Sequence, residues 1–299
     1  MQKVKMQLSQ SRHCPLCGGY GTRVTFPYAT RFNNFQFNYL SCGNCSSVFV
    51  DPVPDNQTFE RMYNKKFYHD CHYEKINNAA YKKAVCLLKK YIPESALVLD
   101  YGCGTGEFLK ALALEGFIPF GVEFDKSAAQ FAAKNAACET LSVKDFQMLR
   151  RKIQFDAIHL GDVLEHLPEP DKVLRELLFF LKPGGILFVE GPLETNPSLV
   201  YWSVRLFGLF KRRLKPDFIG SHSPTHLFRT NSEQQLKFFF RIEEPALDLK
   251  YWRIYETGWP YSCGGAIKRS IATCASILGG RKMFGITFGN RFQGIFIKK

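Results

Sequence analysis

The sequence predicts an α/β fold: a parallel β-sheet with helices on both faces, preceded by a small cysteine-rich unit. From Leu97 onward, short apolar segments alternate with helical patterns, as in the successive β-α units of a parallel sheet. A glycine-rich turn, "GCGTG", directly follows the first of these segments. Because ligands of open α/β sheets bind at the carboxyl ends of the strands, this turn is the first candidate for a binding site.

The overall composition is that of a globular protein, with 299 residues of which 45% are hydrophobic and 22% charged. No apolar run approaches the ~20 residues that a membrane-spanning helix needs. The stretch before Cys14 lacks the apolar core of a secretory signal, so we expect a cytoplasmic protein. In such a chain, two C-x-x-C pairs favour a metal site over disulfides.

Three segments with different patterns define the predicted domain organisation. Residues 1–54 are turn-rich with alternating strand patterns, and they end at Pro52 and Pro54. Residues 55–95 are typical of helices that link two units, the first of them capped by Asp55. Residues 96–299 carry the β-α alternation, which is interrupted by an insertion over residues 192–230 with no obvious strand.

The net charge of +13 is spread unevenly along the chain. Residues 1–95 carry +7, residues 96–190 carry −4, and residues 191–299 carry +10. The acidic middle favours a neutral or cationic ligand, and the basic last third favours an anionic one. The alternative is that the basic residues only keep the surface soluble.

The glycine turn does not fit a phosphate-binding motif. Gly102, Gly104 and Gly106 follow a G-x-G-x-G spacing, whereas the dinucleotide fingerprint requires G-x-G-x-x-G. A G-x-x-x-x-G-K-[ST] phosphate loop does not occur anywhere in the sequence. Glycine still allows the backbone to approach a ligand closely. The turn is therefore predicted to hold something other than a pyrophosphate.

The motif "VLDYGCGTGEF" resembles motif I of the class I S-adenosylmethionine (SAM)-dependent methyltransferases. The segments "GVEFD", "SVKDF" and the block from "FDAIHLGDVLEH" to "LKPGG" resemble the later parts of that family, in the same order. The resemblance covers about residues 97–299. It implies a Rossmann-like, doubly wound sheet of seven strands, the last antiparallel, and SAM as the cofactor. A sulfonium cation without phosphates agrees with the acidic middle segment.

The same resemblance implies roles for individual residues. Asp100 would support the loop and meet the amino group of SAM, Glu123 would take the ribose hydroxyls, and Asp145 would contact the adenine. The alternative for these three carboxylates is helix capping or turn chemistry. The full predicted cofactor-binding set is Asp100, Gly102, Gly104, Gly106, Glu123, Asp145, Phe146 (through its backbone) and Gly161.

The two C-x-x-C pairs are predicted to bind one structural zinc ion. Their members are Cys14, Cys17, Cys42 and Cys45. Four thiolates form a closed tetrahedral site with no open position, which argues against catalytic zinc. A redox dithiol is the competing interpretation. A zinc ribbon in front of this methyltransferase domain resembles a bacterial subgroup that acts on sugars and small metabolites, in which the ribbon and the following helices cover the acceptor side.

An oxygen acceptor in a small metabolite or sugar, with an anionic group as one option, is the default prediction. The sequence lacks both the Asn/Asp-Pro-Pro-aromatic motif of amino-group methylases and the Pro-Cys dipeptide of cytosine C5 methylases. Oxygen acceptors usually need a base, and histidine is the commonest. His166 follows the fourth strand, and His226 lies in a segment resembling the "H-L-x-x-F-[ST]" segment of ubiquinone-type methyltransferases, which borders the acceptor pocket. Either histidine is a candidate base; the alternative is that each only holds a loop.

A helix is predicted within the insertion, over residues 199–215. Its apolar residues, Leu199, Trp202, Leu206, Phe210 and Leu214, lie along one face, and five cations cluster toward its C-terminal end. Three interpretations remain open: a lid over the acceptor pocket, a helix lying on anionic lipid, and plain core packing.

Two other functions compete with a small-molecule methyltransferase. One is an RNA or protein methyltransferase that docks through the ribbon and the basic last third. The ribbon has no basic run interleaved with aromatic residues, which argues against nucleic acid. The other is a non-catalytic zinc-ribbon adaptor, against which the intact set of Asp100, Glu123 and Asp145 argues.

Overall fold

An antiparallel sheet near the N-terminus surrounds the four predicted cysteine ligands. The structure, a computed structural model, describes residues 12–63, 78–149, 153–242, 244–283 and 285–299. The first four strands are β1 (Gly21–Val24), β2 (Thr30–Phe32), β3 (Phe35–Cys42) and β4 (Val48–Asp51). β1, β2 and β4 all pair with β3. Cys42 ends β3, so the second C-x-x-C pair occupies the β3–β4 turn.

Two helices connect this sheet to the rest of the chain: α1 (Asn56–Met62) and α2 (Asn78–Leu88). α1 begins where predicted, because the Asp55 carboxylate accepts a hydrogen bond from the Thr58 N–H at 2.8 Å. The amphipathic pattern of residues 73–92 predicts one helix; α2 covers residues 78–88 of it, and residues 73–77 lie outside the described residues. Val85 and Leu88 of α2 are fully buried against the central sheet.

A mixed sheet of seven strands forms the centre of the molecule. Its strands are β5 (Leu97–Tyr101), β6 (Ile118–Glu123), β7 (Glu139–Ser142), β8 (Phe155–Gly161), β9 (Leu181–Pro192), β11 (Leu247–Tyr255) and β14 (Arg291–Lys298). The short strand β10 (Phe228–Arg229) does not belong to this sheet. The order across the sheet is β7-β6-β5-β8-β9-β14-β11. Only the last strand, β14, runs antiparallel to its neighbours β9 and β11. The predicted Rossmann-like sheet is therefore confirmed.

The strands at the centre of this sheet are buried on both faces, as expected for parallel strands covered by helices. In β5, Val98 faces one helix layer and Leu99 faces the other, and both are 0% exposed. The helices that follow the strands are α3 (Glu107–Leu114), α4 (Lys126–Ala136), α5 (Val143–Gln147), α6 (Pro170–Phe180) and, after the insertion, α8 (Ser232–Phe240). The segment "DFQMLRRK" predicts a helix over residues 145–152, but α5 begins earlier because the Ser142 hydroxyl accepts a hydrogen bond from the Asp145 N–H. Residues 150–152 lie outside the described residues.

The insertion over residues 192–230 contains a long helix, α7 (Leu199–Leu214), and the short strand β10. The prediction that this segment has no strand is wrong: β10 pairs antiparallel with β4 of the N-terminal sheet. The backbone also joins the two regions at Leu227, whose carbonyl accepts from the Val50 N–H at 2.9 Å. Two residues are too short to give a strand pattern, so the sequence alone could not predict β10. As a result, the N-terminal sheet and the insertion share one hydrogen-bond network.

The chain after β11 adds α9 (Ala266–Leu278) and a small hairpin of β12 (Lys282–Met283) and β13 (Ile286–Thr287). The N-terminal half of α7 packs on α9, where Val200, Ala272 and Ala275 are buried together. Within the described ranges, no helix is both long and apolar enough to cross a membrane.

Candidate functional site

The glycine turn lies at the carboxyl end of β5 and leads directly into α3. Gly102, Gly104 and Gly106 all have positive φ angles, of +84°, +53° and +83°. Such angles strain any residue with a Cβ. At Gly102 a Cβ would also lie 2.4 Å from Cγ2 of Val163, which is shorter than any normal contact. The path of this loop therefore depends on glycine at position 102 for two independent reasons.

Glu123 ends the neighbouring strand β6 and reaches back to the glycine turn. Its Oε2 accepts a hydrogen bond from the Gly104 N–H at 2.8 Å, and its Oε1 accepts one from the Phe124 N–H at 2.8 Å. Burial raises the pKa of Glu123. The structure thus brings together the acidic residue and the glycine loop that the sequence predicted, next to the backbone that would approach a ligand.

Asp100 lies at the base of the loop and is held by a residue that the sequence analysis missed. Nδ1 of His159 lies 2.7 Å from Oδ1 of Asp100, and both side chains are buried. Nε2 of His159 lies 3.7 Å from Oε2 of Glu190. Burial by itself lowers the pKa of His159, but Asp100 and Glu190 outweigh it and raise the pKa to about 9. A histidine in the apolar strand "FDAIHLG", level with Asp100 on the adjacent strand, was the available signal.

The remaining predicted cofactor residues lie farther along the same edge of the sheet. Asp145 is exposed at the start of α5, where its Oδ2 accepts a hydrogen bond from the Ser142 hydroxyl at 2.7 Å. The Phe146 side chain is buried, 4.6 Å from the ring of Phe180. Gly161 ends β8, where a Cβ would lie 2.7 Å from Cε1 of His159. The side chain of Phe146 therefore belongs to the core, and only the backbone of this residue is available to contact a ligand.

The two candidate bases, which are 60 residues apart, lie side by side. The ring centroids of His166 and His226 are 4.9 Å apart, with the rings nearly perpendicular. Nδ1 of His166 lies 2.8 Å from the Thr225 carbonyl and 3.0 Å from the Tyr63 hydroxyl. Nδ1 of His226 lies 2.9 Å from Oε2 of Glu194. Each histidine thus has one ring nitrogen fixed by a hydrogen bond.

The charges around this histidine pair differ sharply. Burial and the neighbouring His226 lower the pKa of His166 to about 3, so His166 is neutral at pH 7. Burial opposes protonation of His226 too, but Glu194 outweighs it and raises the pKa of His226. Burial works against ionisation of Glu194, yet Arg229 and His226 lower its pKa to about 2. Glu194 is therefore the permanent anion of this cluster. The sequence analysis did not identify Glu194, because nothing near it in the chain marks it.

Glu165 completes the cluster. One ligand atom each from Glu165, His166 and His226 lies within 4.8 Å of the others, and these three side chains could hold a divalent cation. Two histidines and a glutamate are a ligand set that catalytic metal sites use. Burial and the nearby Asp162 raise the pKa of Glu165 to about 8, and its Oε1 has no hydrogen-bond partner among the described residues. The sequence analysis missed Glu165 as well, although it directly precedes His166.

The four predicted zinc ligands converge in the N-terminal sheet. Their sulfur atoms all lie within 4.8 Å of one another, and the Cys14–Cys45 and Cys17–Cys42 pairs are separated by 3.7 and 3.4 Å. All four are free thiols. The Ser47 hydroxyl lies 3.3 Å from the sulfur of Cys14 and 3.0 Å from that of Cys45. The geometry could therefore hold one metal ion.

Comparisons with known proteins agree with this geometry. A family model described as a methyltransferase domain matches residues 73–262, more than half of the chain. The chain belongs to this family, the SAM-dependent methyltransferases. Among solved structures, it is similar to a SAM-dependent methyltransferase from Archaeoglobus fulgidus, with a TM-score of 0.50 and 19% identity over 78% of this chain and 100% of that one.

A second similar structure is the magnesium protoporphyrin IX methyltransferase of Synechocystis, with a TM-score of 0.53 and 12% identity over 82% of this chain and 100% of that one. At these identities the two structures show the fold alone.

Curated relatives that match include ubiquinone biosynthesis O-methyltransferases. The protein from Coxiella burnetii is 36% identical over 96 residues, which are 30% of this chain and 41% of that protein. The protein from Pseudomonas syringae is 30% identical over 143 residues, which are 42% of this chain and 61% of that protein. The match thus spans less than two thirds of either relative.

The contact of Gly102 with Val163 generates a stability prediction. Gly102→Ala should lower the free energy of unfolding by at least ~1 kcal/mol more than Gly116→Ala, because a crowded Cβ adds to the strain of a positive φ. Gly116 is the matched control, since its φ is +86° and a Cβ there would meet nothing within 4 Å. Urea unfolding of both variants measures the difference.

Val163→Ala removes the atom that the new Cβ would meet. In the Val163→Ala background, Gly102→Ala should therefore lower the free energy of unfolding by no more than Gly116→Ala does in the wild type. Equal losses in Gly102→Ala and Gly116→Ala, or no recovery in the double variant, would contradict the described path of the loop.

Proposed function

We propose that this chain transfers a methyl group from SAM to an oxygen atom of a small-molecule acceptor. Two groups carry the proposal: the glycine loop with Glu123, and the pair of His166 and His226. The glycine loop, Glu123 and His166 all follow the carboxyl ends of parallel strands. SAM supplies the methyl group as an electrophile on a positively charged sulfur, and the chain must hold both partners in line.

For the cofactor side, we assign the amino group of SAM to Asp100, the ribose hydroxyls to Glu123 and the adenine to Asp145 with the Phe146 backbone. The donor set supports this assignment, because it offers carboxylates and glycine backbone instead of a cradle for phosphates. His159 holds the Asp100 carboxylate at the base of the loop. Glu123 is fixed beside Gly104 by hydrogen bonds to both of its oxygens.

For the acceptor side, His226 is the proposed base. In the tautomer in which Glu194 accepts the Nδ1 proton of His226, Nε2 is the unprotonated nitrogen. With SAM bound as the methyl donor, this Nε2 would accept the hydroxyl proton of the acceptor as its oxygen takes the methyl group and S-adenosylhomocysteine leaves. Glu194, an anion at neutral pH, then stabilises the imidazolium that results. Neutral His166 borders the same space and orients the acceptor.

For the acceptor, we propose a small metabolite or a sugar with an anionic group. The names of the curated relatives, ubiquinone biosynthesis O-methyltransferases, support a small molecule methylated on oxygen. The charge of +10 over residues 191–299 supports an anionic group. We further propose that residues 55–95 cover this acceptor side and lie between a ribbon over 1–54 and the methyltransferase domain over 96–299. The hydrogen-bond distance from Tyr63 to His166 supports that placement.

We also propose that Cys14, Cys17, Cys42 and Cys45 bind one structural zinc ion. Four thiolates ~2.3 Å from a tetrahedral zinc lie ~3.8 Å from one another, close to the separations of the two pairs given above. The Gly19 N–H, 3.4 Å from the sulfur of Cys17, and the Ser47 hydroxyl would stabilise the thiolates. Zinc here contributes folding energy to a sheet whose core is small.

The base assignment predicts the effect of two histidine substitutions. His226→Ala should lower kcat about 10²- to 10⁴-fold, the range for loss of a general base, and leave the affinity for SAM unchanged. His222→Ala is the matched control, because His222 lies in the same segment and binds Thr30 through its backbone only. Formation of S-adenosylhomocysteine with a panel of phenolic and sugar hydroxyl compounds, and a mass gain of one methylene in the product, measure the activity.

Full activity of His226→Ala would exclude His226 as the base. A second contrary outcome is that a chelator abolishes activity, and Mg²⁺ or Mn²⁺ restores it while zinc stays bound to the cysteines. That result would also exclude His226 as the base, and Glu165, His166 and His226 would then form a cation site. If no compound gains a methyl group although SAM binds, the proposed acceptor class is wrong.

The zinc proposal predicts a metal content of about one zinc ion per chain, lost on substitution of a single ligand. Cys42→Ser should remove the ion and lower the melting temperature by several degrees, because the closed site needs all four ligands. Cys86→Ser, at an exposed cysteine outside the cluster, is the matched control. Elemental analysis and thermal unfolding measure both effects. Reversible disulfides between the pairs in purified protein without metal would instead support a redox dithiol.

A further inference from the structure

The long helix of the insertion, α7, turns its large apolar side chains toward solvent. Leu206, Phe210 and Leu214 are 64%, 66% and 72% exposed. Trp202, Phe207 and Leu209 are also exposed. We call these six residues the apolar face of α7. One edge of it is partly covered, because the Trp202 ring packs edge-on against the Phe288 ring at 5.4 Å between centroids. Single exposed apolar residues are ordinary, whereas six on one 16-residue helix form a continuous patch that needs an explanation.

The opposite side of α7 holds the helix on the protein through small residues. Val200 is buried and Val204 half-buried against α9. Gly208 approaches the connection between β1 and β2 so closely that a Cβ there would lie 2.6 Å from the Phe26 ring. A helix that serves a protein core buries its large apolar residues. Leu206, Phe210 and Leu214 are exposed, so the core-packing interpretation is wrong for these three. It holds for Leu199 at the start of the helix, which packs on the buried cluster around Val200.

The cations of α7 lie where they would meet an anionic surface. At 100° per residue, the apolar face covers an arc of about 160°. Arg205 and Arg212 flank one side of this arc and Lys211 flanks the other, while Arg213 lies within it at the C-terminal end. The helix has no acidic residue, and residues 199–215 together carry five positive charges. A broad apolar face bordered by cations is the pattern of a helix that lies in a membrane interface.

Two cations of this helix lie over aromatic rings. The Arg212 guanidinium lies 4.7 Å from the centre of the Tyr28 ring, and Nζ of Lys211 lies 3.5 Å from the centre of the Phe218 ring. The 16 residues of α7 span only about 24 Å at 1.5 Å per residue, which is less than the ~30 Å hydrocarbon core of a bilayer. The helix is therefore suited to lie on a bilayer and too short and too charged to cross one.

We propose that α7 docks this protein on anionic lipid bilayers, with Leu206, Phe210 and Leu214 inserted among the acyl chains and the flanking cations on the lipid phosphates. Apolar insertion and charge attraction act together here, because neither a few side chains nor a few charges hold a protein on a membrane alone. The docking is independent of the methyl-transfer chemistry, since none of these residues belongs to the proposed active site.

Co-sedimentation of the full chain with lipid vesicles tests the proposal. The protein should bind vesicles rich in phosphatidylglycerol, bind pure phosphatidylcholine vesicles at least about tenfold more weakly, and dissociate as salt is raised. Leu206→Glu with Phe210→Glu should reduce the partition coefficient by about tenfold or more, and so should Arg205→Glu with Arg213→Glu. Leu114→Glu is the matched control, because Leu114 is 79% exposed on a different helix.

The thermal unfolding of each variant shows whether it is folded, and substitutions at such exposed positions should leave it unchanged. Absence of vesicle binding, equal binding to both lipids, or equal binding by all variants overturns the proposal. If the protein dimerises and the double substitution Leu206→Glu with Phe210→Glu abolishes the dimer, the apolar face of α7 binds a second copy of the chain instead. Loss of activity in that variant without any vesicle binding would assign it to a lid.

Discussion

The hydrogen bond between Asp100 and His159 fixes the geometry on which the proposed cofactor site depends. It links β5 to β8 below the glycine loop, with Glu190 as a second carboxylate beside the imidazole. Burying an ionised carboxylate is unfavourable unless it is paired, and His159 supplies the partner. Asp100 is thus held at the end of β5, and the loop over Gly102–Gly106 begins from a fixed point. The orientation of the loop relative to Glu123 follows from that point.

A second constraint joins the cysteine cluster to the acceptor side. The carbonyl of Cys45 accepts a hydrogen bond from the Gln234 side chain at 2.9 Å, and the carbonyl of Leu16 accepts one from the Arg241 side chain at 3.1 Å. Gln234 lies in α8 and Arg241 directly follows it, so α8 and its end bind both turns that carry the cysteines. β10 pairs with β4 two residues after His226. Metal binding in the ribbon would therefore stabilise the segment that carries His226, although none of the four clustered cysteines belongs to the proposed active site.

Local motifs made the fold and half of the candidate site predictable. The glycine spacing, Glu123 at the end of its strand and the C-x-x-C pairs are patterns within a few residues. The partners of those residues were not predictable, because they come from distant parts of the chain: Glu194 lies 32 residues from His226, and His159 lies 59 residues from Asp100. For α7, periodicity gave the apolar face but not its direction, which depends on the packing of Val200 and Gly208 on the other side.

Calorimetric titration of the full chain with SAM tests the central claim, that the loop after β5 binds a sulfonium cofactor. We expect one binding site per chain, which S-adenosylhomocysteine blocks. Glu123→Ala should lower the affinity for SAM about tenfold or more, because a charged hydrogen bond is lost, whereas the control Glu115→Ala should bind SAM with normal affinity. No heat of binding at millimolar SAM, or binding of NAD⁺ in its place, would contradict it.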